Sequence, residues 1–223
     1  MARVPEERFR VEVPGKGGVS AAFVAPRDPS ATLVVAHGAG AGMDHPFLVG
    51  FTRACNELSL STLRFNFPYL EAGRRSTDAA PVAIAAWAAA FEAATERAGG
   101  APVWASGKSF SGRMASMAVA AGMPAAGLIF LGYPLHSPAK PDQVRADHLY
   151  EIGVPMLFIH GTRDPFARSD RLLPVLERLK YRAAIAQVEG DHSFNRSRSD
   201  DPRTVGASLA TYAAKFINDP PPY

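Results

Sequence analysis

The chain has 223 residues, of which 47% are hydrophobic and 20% charged, the composition of an ordinary globular protein. Its formal net charge is only +3 and its basic residues are dispersed, so the composition gives no argument for nucleic-acid or membrane binding. The single cysteine, Cys55, excludes an internal disulfide framework. We expect one domain over residues 1–223, because a chain of this length can bury a large core without metals or disulfides.

The beginning of the chain does not have the pattern of a secretory signal. Residues 1–10 carry five charged side chains and lack an apolar stretch. The sequence also has no run of about 18 apolar residues of the kind that spans a bilayer. Together with the single cysteine, these features predict a cytoplasmic protein.

The first two predicted elements are strands. Phe9, Val11 and Val13 alternate with charged residues, which is the two-residue period of a half-buried strand. Residues 14–18 have the composition of a turn, and residues 19–25 are predicted to form a second strand. The chain therefore opens with a predicted antiparallel hairpin.

Strands and helices alternate along the rest of the chain. Six short runs dominated by apolar residues predict strands at residues 33–36, 62–65, 102–106, 127–131, 154–160 and 183–188. Capping residues and helical spacing predict helices after Asp44, after Thr77 or Asp78, and after Ser109, and helical segments at residues 143–150 and 170–179.

A closing helix is predicted to begin near residues 199–201. Its apolar face is expected to contain Val205, Leu209, Tyr212 and Phe216, which follow one another at helical spacing.

This order of elements predicts an α/β fold with a doubly wound, mostly parallel sheet of about eight strands, an N-terminal antiparallel hairpin and no cap domain. In such sheets, ligands bind at the carboxyl ends of the strands. Four segments with chemically suggestive residues follow predicted strands: residues 37–42, 107–111, 160–166 and 189–194. We therefore expect these four segments to share one edge of the sheet.

Residues 107–111, Gly-Lys-Ser-Phe-Ser, lie between a predicted strand and a predicted helix. This arrangement is typical of a nucleophile elbow, with the pattern G-x-S-x-G, in which a strained turn raises a serine hydroxyl above the sheet. The fifth position is Ser111 instead of glycine, and Gly112 follows it. The pattern predicts Ser109 as a nucleophile. The alternatives are that Ser109 only caps the helix, or that the elbow is shifted and Ser111 is the nucleophile.

A serine nucleophile needs a base that accepts its proton and a third group that orients the base. His192 follows the last predicted strand, and Asp164 follows the strand before it. The order Ser, Asp, His is the one expected for a nucleophile elbow, so His192 is the predicted base and Asp164 the predicted acid. Asp191 is interpreted as a turn residue. His37 and His160 lie at strand ends and are interpreted as rim or core histidines.

Acyl transfer also needs N–H donors for the negatively charged oxygen that develops on the substrate. The backbone N–H of Phe110 follows the predicted nucleophile and is one candidate. The second candidate is the N–H of Ala39 or Gly40, in the glycine-rich segment after the strand at residues 33–36. A phosphate cradle is the alternative for this segment, although its glycines lack the spacing of a dinucleotide fingerprint or a P-loop.

Other residues of the predicted loops are candidates for substrate binding. Lys108 is adjacent to Ser109 and is a candidate to contact an anionic substrate or to pair with a carboxylate at the rim, with a solvated, structural role as the other interpretation. The further candidates, for which surface packing is the alternative, are Tyr69, Tyr133, Arg145 and His148. No metal-ligand spacing stands out, and we expect no cofactor.

Five motifs together resemble a small, lid-less branch of the α/β-hydrolases. They are residues 37–40, 107–116, 132–136, 160–166 and 190–194. This branch is similar to dienelactone hydrolases, and it includes the hydrolase-like domain of a nonspecific-lethal acetyltransferase-complex subunit and a testis-expressed relative. The resemblance covers nearly the whole chain from Leu33 onward.

The resemblance implies that Ser109 is the nucleophile, Asp164 the acid and His192 the base. With Ser109 at the nucleophile position, the sequence differs from dienelactone hydrolases proper, which have a cysteine there. The sequence thus predicts a serine hydrolase that cleaves a small ester or thioester through an acyl-Ser109 intermediate. Because some relatives look like scaffolds, the first alternative is a catalytically weak, hydrolase-fold interaction module. The second alternative is a serine peptidase, and the oligomeric state is left open.

Overall fold

The computed structural model describes residues 4–220, which contain an eight-stranded sheet in the order β1-β2-β4-β3-β5-β6-β7-β8. The strands are β1 (Glu7–Val13), β2 (Gly17–Val24), β3 (Ala31–Ala36), β4 (Leu60–Phe65), β5 (Val103–Lys108), β6 (Leu128–Leu131), β7 (Met156–Gly161) and β8 (Ala183–Val188). Strand β2 is antiparallel to both β1 and β4, and all other neighbours are parallel. The predicted mostly parallel sheet and its N-terminal hairpin are confirmed.

Burial explains why the central strands have continuous apolar runs, whereas the edge strand β1 has an alternating pattern. All six residues of β3, of β4 and of β7 are buried, as expected for central strands that helices cover on both faces. Strand β1 lies at the edge of the sheet, and there only Val11 and Val13 are buried. The period-two pattern of β1 therefore reflects one covered face and one face in solvent.

Helices flank the sheet on both faces. The α-helices within residues 4–220 are α1 (Pro46–Glu57), α2 (Pro68–Glu71), α3 (Ala80–Arg97), α4 (Phe110–Ala120), α5 (Ser169–Leu179), α6 (Pro202–Ser208) and α7 (Ala210–Asn218). Helices α3, α4 and α5 contribute to one hydrophobic core, and α1, α6 and α7 contribute to the core on the opposite face. None of these helices is long and apolar enough to cross a membrane.

The carboxyl edge of the sheet carries no cap domain in the part of the chain that the structure describes. The link between β6 and β7, residues 132–155, contains only the 3₁₀ helix Asp147–Glu151. This helix is shorter than the helical segment predicted at residues 143–150. The absence of a cap agrees with the sequence prediction and leaves the ends of β3, β5, β7 and β8 accessible to a ligand.

Helix α1 begins at Pro46, and His45 caps it by accepting the Phe47 N–H on Nδ1 at 3.3 Å. Asp44, which the sequence predicts as the cap, accepts two hydrogen bonds from the guanidinium of Arg8 and pairs with Arg64. The prediction is wrong because two arginines, Arg8 of β1 and Arg64 of β4, engage the Asp44 carboxylate.

Helix α3 begins later than the predicted Thr77 or Asp78. The Asp78 carboxylate accepts the Tyr69 N–H at 2.9 Å and a hydrogen bond from Arg74. It therefore organises the preceding segment, predicted as a loop, in which α2 forms a single helical turn.

The predicted closing helix is two helices, α6 and α7, with a break at Leu209. The Leu209 N–H bonds to the Gly206 carbonyl three residues back, which tightens the turn relative to an α-helix. The buried face of α7 includes Ala213, Phe216 and Ile217, which follow Leu209 at helical spacing, whereas Tyr212 is 42% exposed. The prediction that Tyr212 shares the buried face is therefore wrong.

Candidate active site

Ser109 lies between the last residue of β5 and the first residue of α4. Its backbone has φ +53° and ψ −118°, a strained conformation for a residue with a side chain. The Ser109 N–H donates to the Leu131 carbonyl of β6 at 3.1 Å, which ties the turn to the sheet. This sharp strand-to-helix turn has the geometry of a nucleophile elbow.

Two glycines allow α4 to begin so close to β5. A Cβ atom on Gly107 would lie 2.2 Å from the Gly112 nitrogen, and one on Gly112 would lie 2.7 Å from the Gly107 oxygen. The closest contact in the elbow is thus between positions 107 and 112. Ser111 is compatible with this turn, because its buried hydroxyl donates to the Ala36 carbonyl at 2.8 Å.

A continuous chain of hydrogen bonds joins Ser109, His192 and Asp164. Ser109 Oγ lies 2.7 Å from His192 Nε2, and His192 Nδ1 lies 2.7 Å from Asp164 Oδ2. The other oxygen of Asp164 accepts the Phe166 N–H at 2.8 Å, and the Asp164 side chain is fully buried. The carboxylate is thereby fixed in the orientation that holds a proton on Nδ1 and leaves Nε2 free to accept one.

The environment of His192 favours the neutral imidazole. Burial lowers the pKa of His192, the nearby Lys108 ammonium lowers it further, and Asp164 and Asp191 act in the opposite direction. The net effect is a pKa below the ordinary value for histidine. His192 therefore has an unprotonated Nε2 at neutral pH, the form that accepts a proton from serine.

Two candidate backbone donors come from the residue after the nucleophile, Phe110, and from Ala39, which lines the same cavity as Ser109. Phe110 occupies the first position of α4, where the helix offers its N–H no acceptor. The Ala39 N–H has no hydrogen-bond acceptor among residues 4–220, whereas the Gly40 N–H donates to the Tyr69 hydroxyl at 3.3 Å. Of the two predicted donors in the glycine-rich segment, Ala39 is therefore the one with a free N–H.

Ser109 and His192 line a cavity of about 590 Å³ at the carboxyl edge of the sheet. Its apolar walls include Phe47 from α1, Pro202 from α6 and Phe166 from the loop between β7 and α5. The Phe166 ring also packs against the His192 imidazole, with their centroids 4.4 Å apart. The cavity thus combines a serine, a base and backbone donors with a mainly apolar surface.

The sequence model of the alpha/beta hydrolase domain matches residues 29–218. The chain belongs to the α/β-hydrolase family. The match covers every residue of the Ser109–His192–Asp164 chain and the glycine-rich segment after β3.

Solved structures with the same fold include several α/β-hydrolases. A serine hydrolase without a lid from Xanthomonas campestris is 20% identical, with a TM-score of 0.72 over 95% of this chain and 97% of that chain. A dienelactone hydrolase from Anabaena variabilis is 17% identical, with a TM-score of 0.73 over 97% and 99%. An esterase domain from Rhodothermus marinus is 19% identical, with a TM-score of 0.71 over 96% and 99%. At these identities the likeness shows the shared fold.

The remaining substrate-binding candidates of this α/β-hydrolase occupy two places. Lys108 lines the cavity, and Tyr69 lies behind its wall, where its side chain is fully buried. Tyr133, Arg145 and His148 lie together elsewhere: the Tyr133 hydroxyl donates to the Arg145 carbonyl at 3.2 Å and lies 3.3 Å from His148 Nε2. These three residues are not among those that line the Ser109 cavity.

The other buried histidines of this α/β-hydrolase have structural partners or lie in the core. His37 Nδ1 lies 2.8 Å from the Gly38 oxygen, and His37 Nε2 accepts the Phe67 N–H at 3.4 Å. Burial lowers the pKa of His37 to about 4, so it is a neutral core residue. His160 is also buried. Within residues 4–220, no group of three or more His, Cys, Asp or Glu side chains is arranged to hold a metal ion.

Several residues of the cavity wall were missed by sequence reasoning. Phe47 and Leu48 look like ordinary apolar positions of a helix, and Pro202 looks only like a helix-starting residue. Phe166 lies in the motif at residues 160–166 but has no polar group that would mark it as a cavity residue. No local signal marks such residues, because their role comes from packing beside Ser109 in three dimensions.

Proposed function

We propose that the protein is a serine hydrolase that cleaves a small carboxylic ester or thioester through an acyl-Ser109 intermediate. The observation that supports this most strongly is the chain of 2.7 Å hydrogen bonds from Ser109 through His192 to the buried Asp164 at the wall of a cavity. A hydroxyl, a neutral imidazole and a buried carboxylate in this order are the components of general-base activation of a serine.

In the first half of the reaction, Ser109 Oγ attacks the substrate carbonyl carbon while His192 Nε2 accepts the hydroxyl proton. Asp164 stabilises the imidazolium that forms. The N–H groups of Phe110 and Ala39 donate to the oxyanion of the tetrahedral intermediate. The intermediate then expels the alcohol or thiol, which takes the proton from His192, and leaves an acyl group on Ser109.

In the second half, a water molecule attacks the acyl carbon while His192 accepts one of its protons. Collapse of the new tetrahedral intermediate breaks the bond to Ser109 Oγ, and His192 returns the proton to that oxygen. The products are a carboxylic acid and the free serine, so the cycle needs no cofactor.

The cavity and the relatives of similar fold favour a small substrate. A volume of about 590 Å³ lies in the usual range for small-molecule sites, and its walls are largely apolar. Proteins of the same fold are described as a serine hydrolase without a lid and as an esterase domain. We extend that chemistry to this chain as part of the proposal.

The decisive experiment is labelling with a fluorophosphonate, which reacts with activated serines, followed by peptide mass spectrometry. We expect an adduct on Ser109 in the folded protein and none in Ser109→Ala. We also expect Ser109→Ala to lower kcat on p-nitrophenyl or thioester substrates by about 10³-fold or more. The Ser111→Ala variant is a control for the shifted elbow, and its adduct should remain on Ser109. Folded wild-type protein without an adduct on Ser109 would contradict the proposal.

A separation of Ser109 and His192 beyond hydrogen-bond reach would favour the interaction-module alternative. Their 2.7 Å contact favours the hydrolase instead. A peptidase finds no specific support in the cavity. The kinship with the nonspecific-lethal subunit and the testis-expressed relative, the single domain over residues 1–223 and the cytoplasmic location stay predictions from the sequence.

A further inference from the structure

Lys108 connects the nucleophile and the base through its side chain. It is the last residue of β5 and directly precedes Ser109. Its ammonium Nζ donates to the backbone carbonyl of His192 at 2.7 Å. The same histidine therefore receives one contact from Ser109 on its ring and a second contact from the adjacent Lys108 on its backbone.

The Lys108 stem runs alongside Gly38, and its ammonium lies near two aromatic rings. A Cβ built on Gly38 would lie 3.4 Å from the Lys108 Cγ. Its Nζ lies 5.5 Å from the centroid of the Phe194 ring and 5.9 Å from that of Phe47, within the range of cation–π attraction. The two rings therefore lie beside the ammonium that donates to the His192 carbonyl.

The charge of Lys108 has no carboxylate in direct contact within residues 4–220. Asp164 and Asp191 act on it only through space, and burial lowers the pKa of Lys108 to about 8. At neutral pH the group is still mostly an ammonium. Lys108 is half-buried at the cavity wall, and removing part of an ammonium from water is costly unless hydrogen bonds and nearby charges compensate it. Here the hydrogen-bond acceptor is the backbone carbonyl of the base residue.

We propose that Lys108 is a positioning residue for His192: its ammonium holds the His192 carbonyl, so that the imidazole stays between Ser109 and Asp164. This inference rests on the proposed function of the site. Lys108 was a candidate contact for an anionic substrate in the sequence analysis. The inference gives it a role in the geometry of the base instead.

Lys108 also acts on the pKa of His192 through space, together with a small group of other charges. Asp164 and Asp191 raise the pKa of His192, whereas Lys108 lowers it. His160, the other titratable group near His192, has its own pKa lowered by burial. Removing the Lys108 ammonium leaves two carboxylates facing His192, so the imidazole should be protonated at higher pH.

The test compares Lys108→Met, which keeps the apolar stem, with Lys108→Arg, which keeps a cationic donor. Lys215→Met, on the exposed side of α7, is the matched control. The first readout is the NMR titration of the His192 ring, assigned with His192→Gln. The second is the pH dependence of kcat and KM. Lys108→Gln replaces Lys108→Met if the latter does not fold.

In Lys108→Met we expect the His192 titration and the acidic limb of kcat/KM to move to higher pH. We also expect kcat to fall roughly ten- to a hundredfold with little change in KM, because a displaced base lowers the rate of the chemical step. Lys108→Arg should recover most of both losses, and Lys215→Met should behave as wild type.

An unchanged His192 titration in folded Lys108→Met would overturn the inference, as would a change in KM alone for anionic esters. The NMR titration does not depend on turnover. If wild-type protein neither hydrolyses esters nor reacts with fluorophosphonate, the proposed function fails, whereas normal wild-type activity with an unshifted His192 in the variant refutes only the role of Lys108.

Discussion

Ser111 occupies the position of the elbow where the pattern has glycine, and its hydroxyl takes part in two interactions. It lies 2.8 Å from the Ala36 carbonyl at the end of β3 and 3.0 Å from the Lys108 carbonyl at the end of β5. Ala36 leads into the segment that contains Ala39, and Lys108 leads into Ser109. Ser111 therefore joins the strand ends that carry the proposed oxyanion donor and the nucleophile.

We predict that Ser111→Ala lowers the free energy of unfolding by about 1–2 kcal/mol, because buried carbonyl oxygens lose a hydrogen-bond donor. Ser111→Gly should be less stable still, since glycine loses more conformational freedom on folding than alanine does. Urea unfolding at pH 7 measures both changes. A Ser111→Gly variant as stable as wild type would show that the hydroxyl contributes nothing to the elbow.

Helices α1 and α6 cross at two glycines. A Cβ on Gly50 would lie 2.0 Å from the Arg203 oxygen, and a Cβ on Gly206 would lie 2.0 Å from the Phe47 oxygen. Each helix thus packs its glycine against the backbone of the other. This crossing also shapes the cavity, because Phe47 and Leu48 come from α1 and Pro202 comes from α6.

We predict that Gly206→Ala destabilises the protein by about 1–3 kcal/mol, because an added methyl group forces two packed backbones apart. The movement should also change KM for esters with bulky acyl groups, since both helices line the cavity. Thermal unfolding and steady-state kinetics measure these effects. Ser208→Ala, on the exposed side of α6, serves as the control and should be close to wild type in both measurements.

Over the whole molecule, buried histidines link stability to pH. Burial lowers the pKa of the fully buried His37 to about 4, and partial burial also lowers the pKa of His148 to about 4. In the unfolded chain a histidine titrates near its ordinary value of about 6.5. Between these values the unfolded chain binds more protons than the folded protein, so stability is full above pH 6.5 and decreases as the pH falls toward 4.

We predict that the free energy of unfolding decreases by about 2 kcal/mol between pH 7 and pH 5 through His37 alone. His37→Asn removes this titration, so the pH dependence of its stability should be weaker by that amount, even if the variant is less stable at pH 7. Urea unfolding at the two pH values measures the difference. The same pH dependence in His37→Asn and wild type would contradict a buried, neutral His37.

The fold was predictable because its signals are local. Continuous apolar runs such as Leu33–Ala36 mark strands that are covered on both faces, and turn residues separate them. Helix capping was less predictable, as Asp44 shows. Its carboxylate is at a suitable position to cap α1, but it accepts hydrogen bonds from Arg8, which lies 36 residues away in sequence. Contacts between distant residues decide such competition.

The sequence by itself determined which strands form, that their carboxyl ends share an edge, and that Ser109, Asp164 and His192 follow three of those strands. This was possible because parallel strands linked by helices must end at the same edge of the sheet. Only the tertiary structure decided the distances between these side chains, the separation of Tyr133, Arg145 and His148 from the cavity, and the contact of Lys108 with His192. The physical reason is that backbone periodicity specifies elements, whereas side-chain contacts depend on how those elements pack.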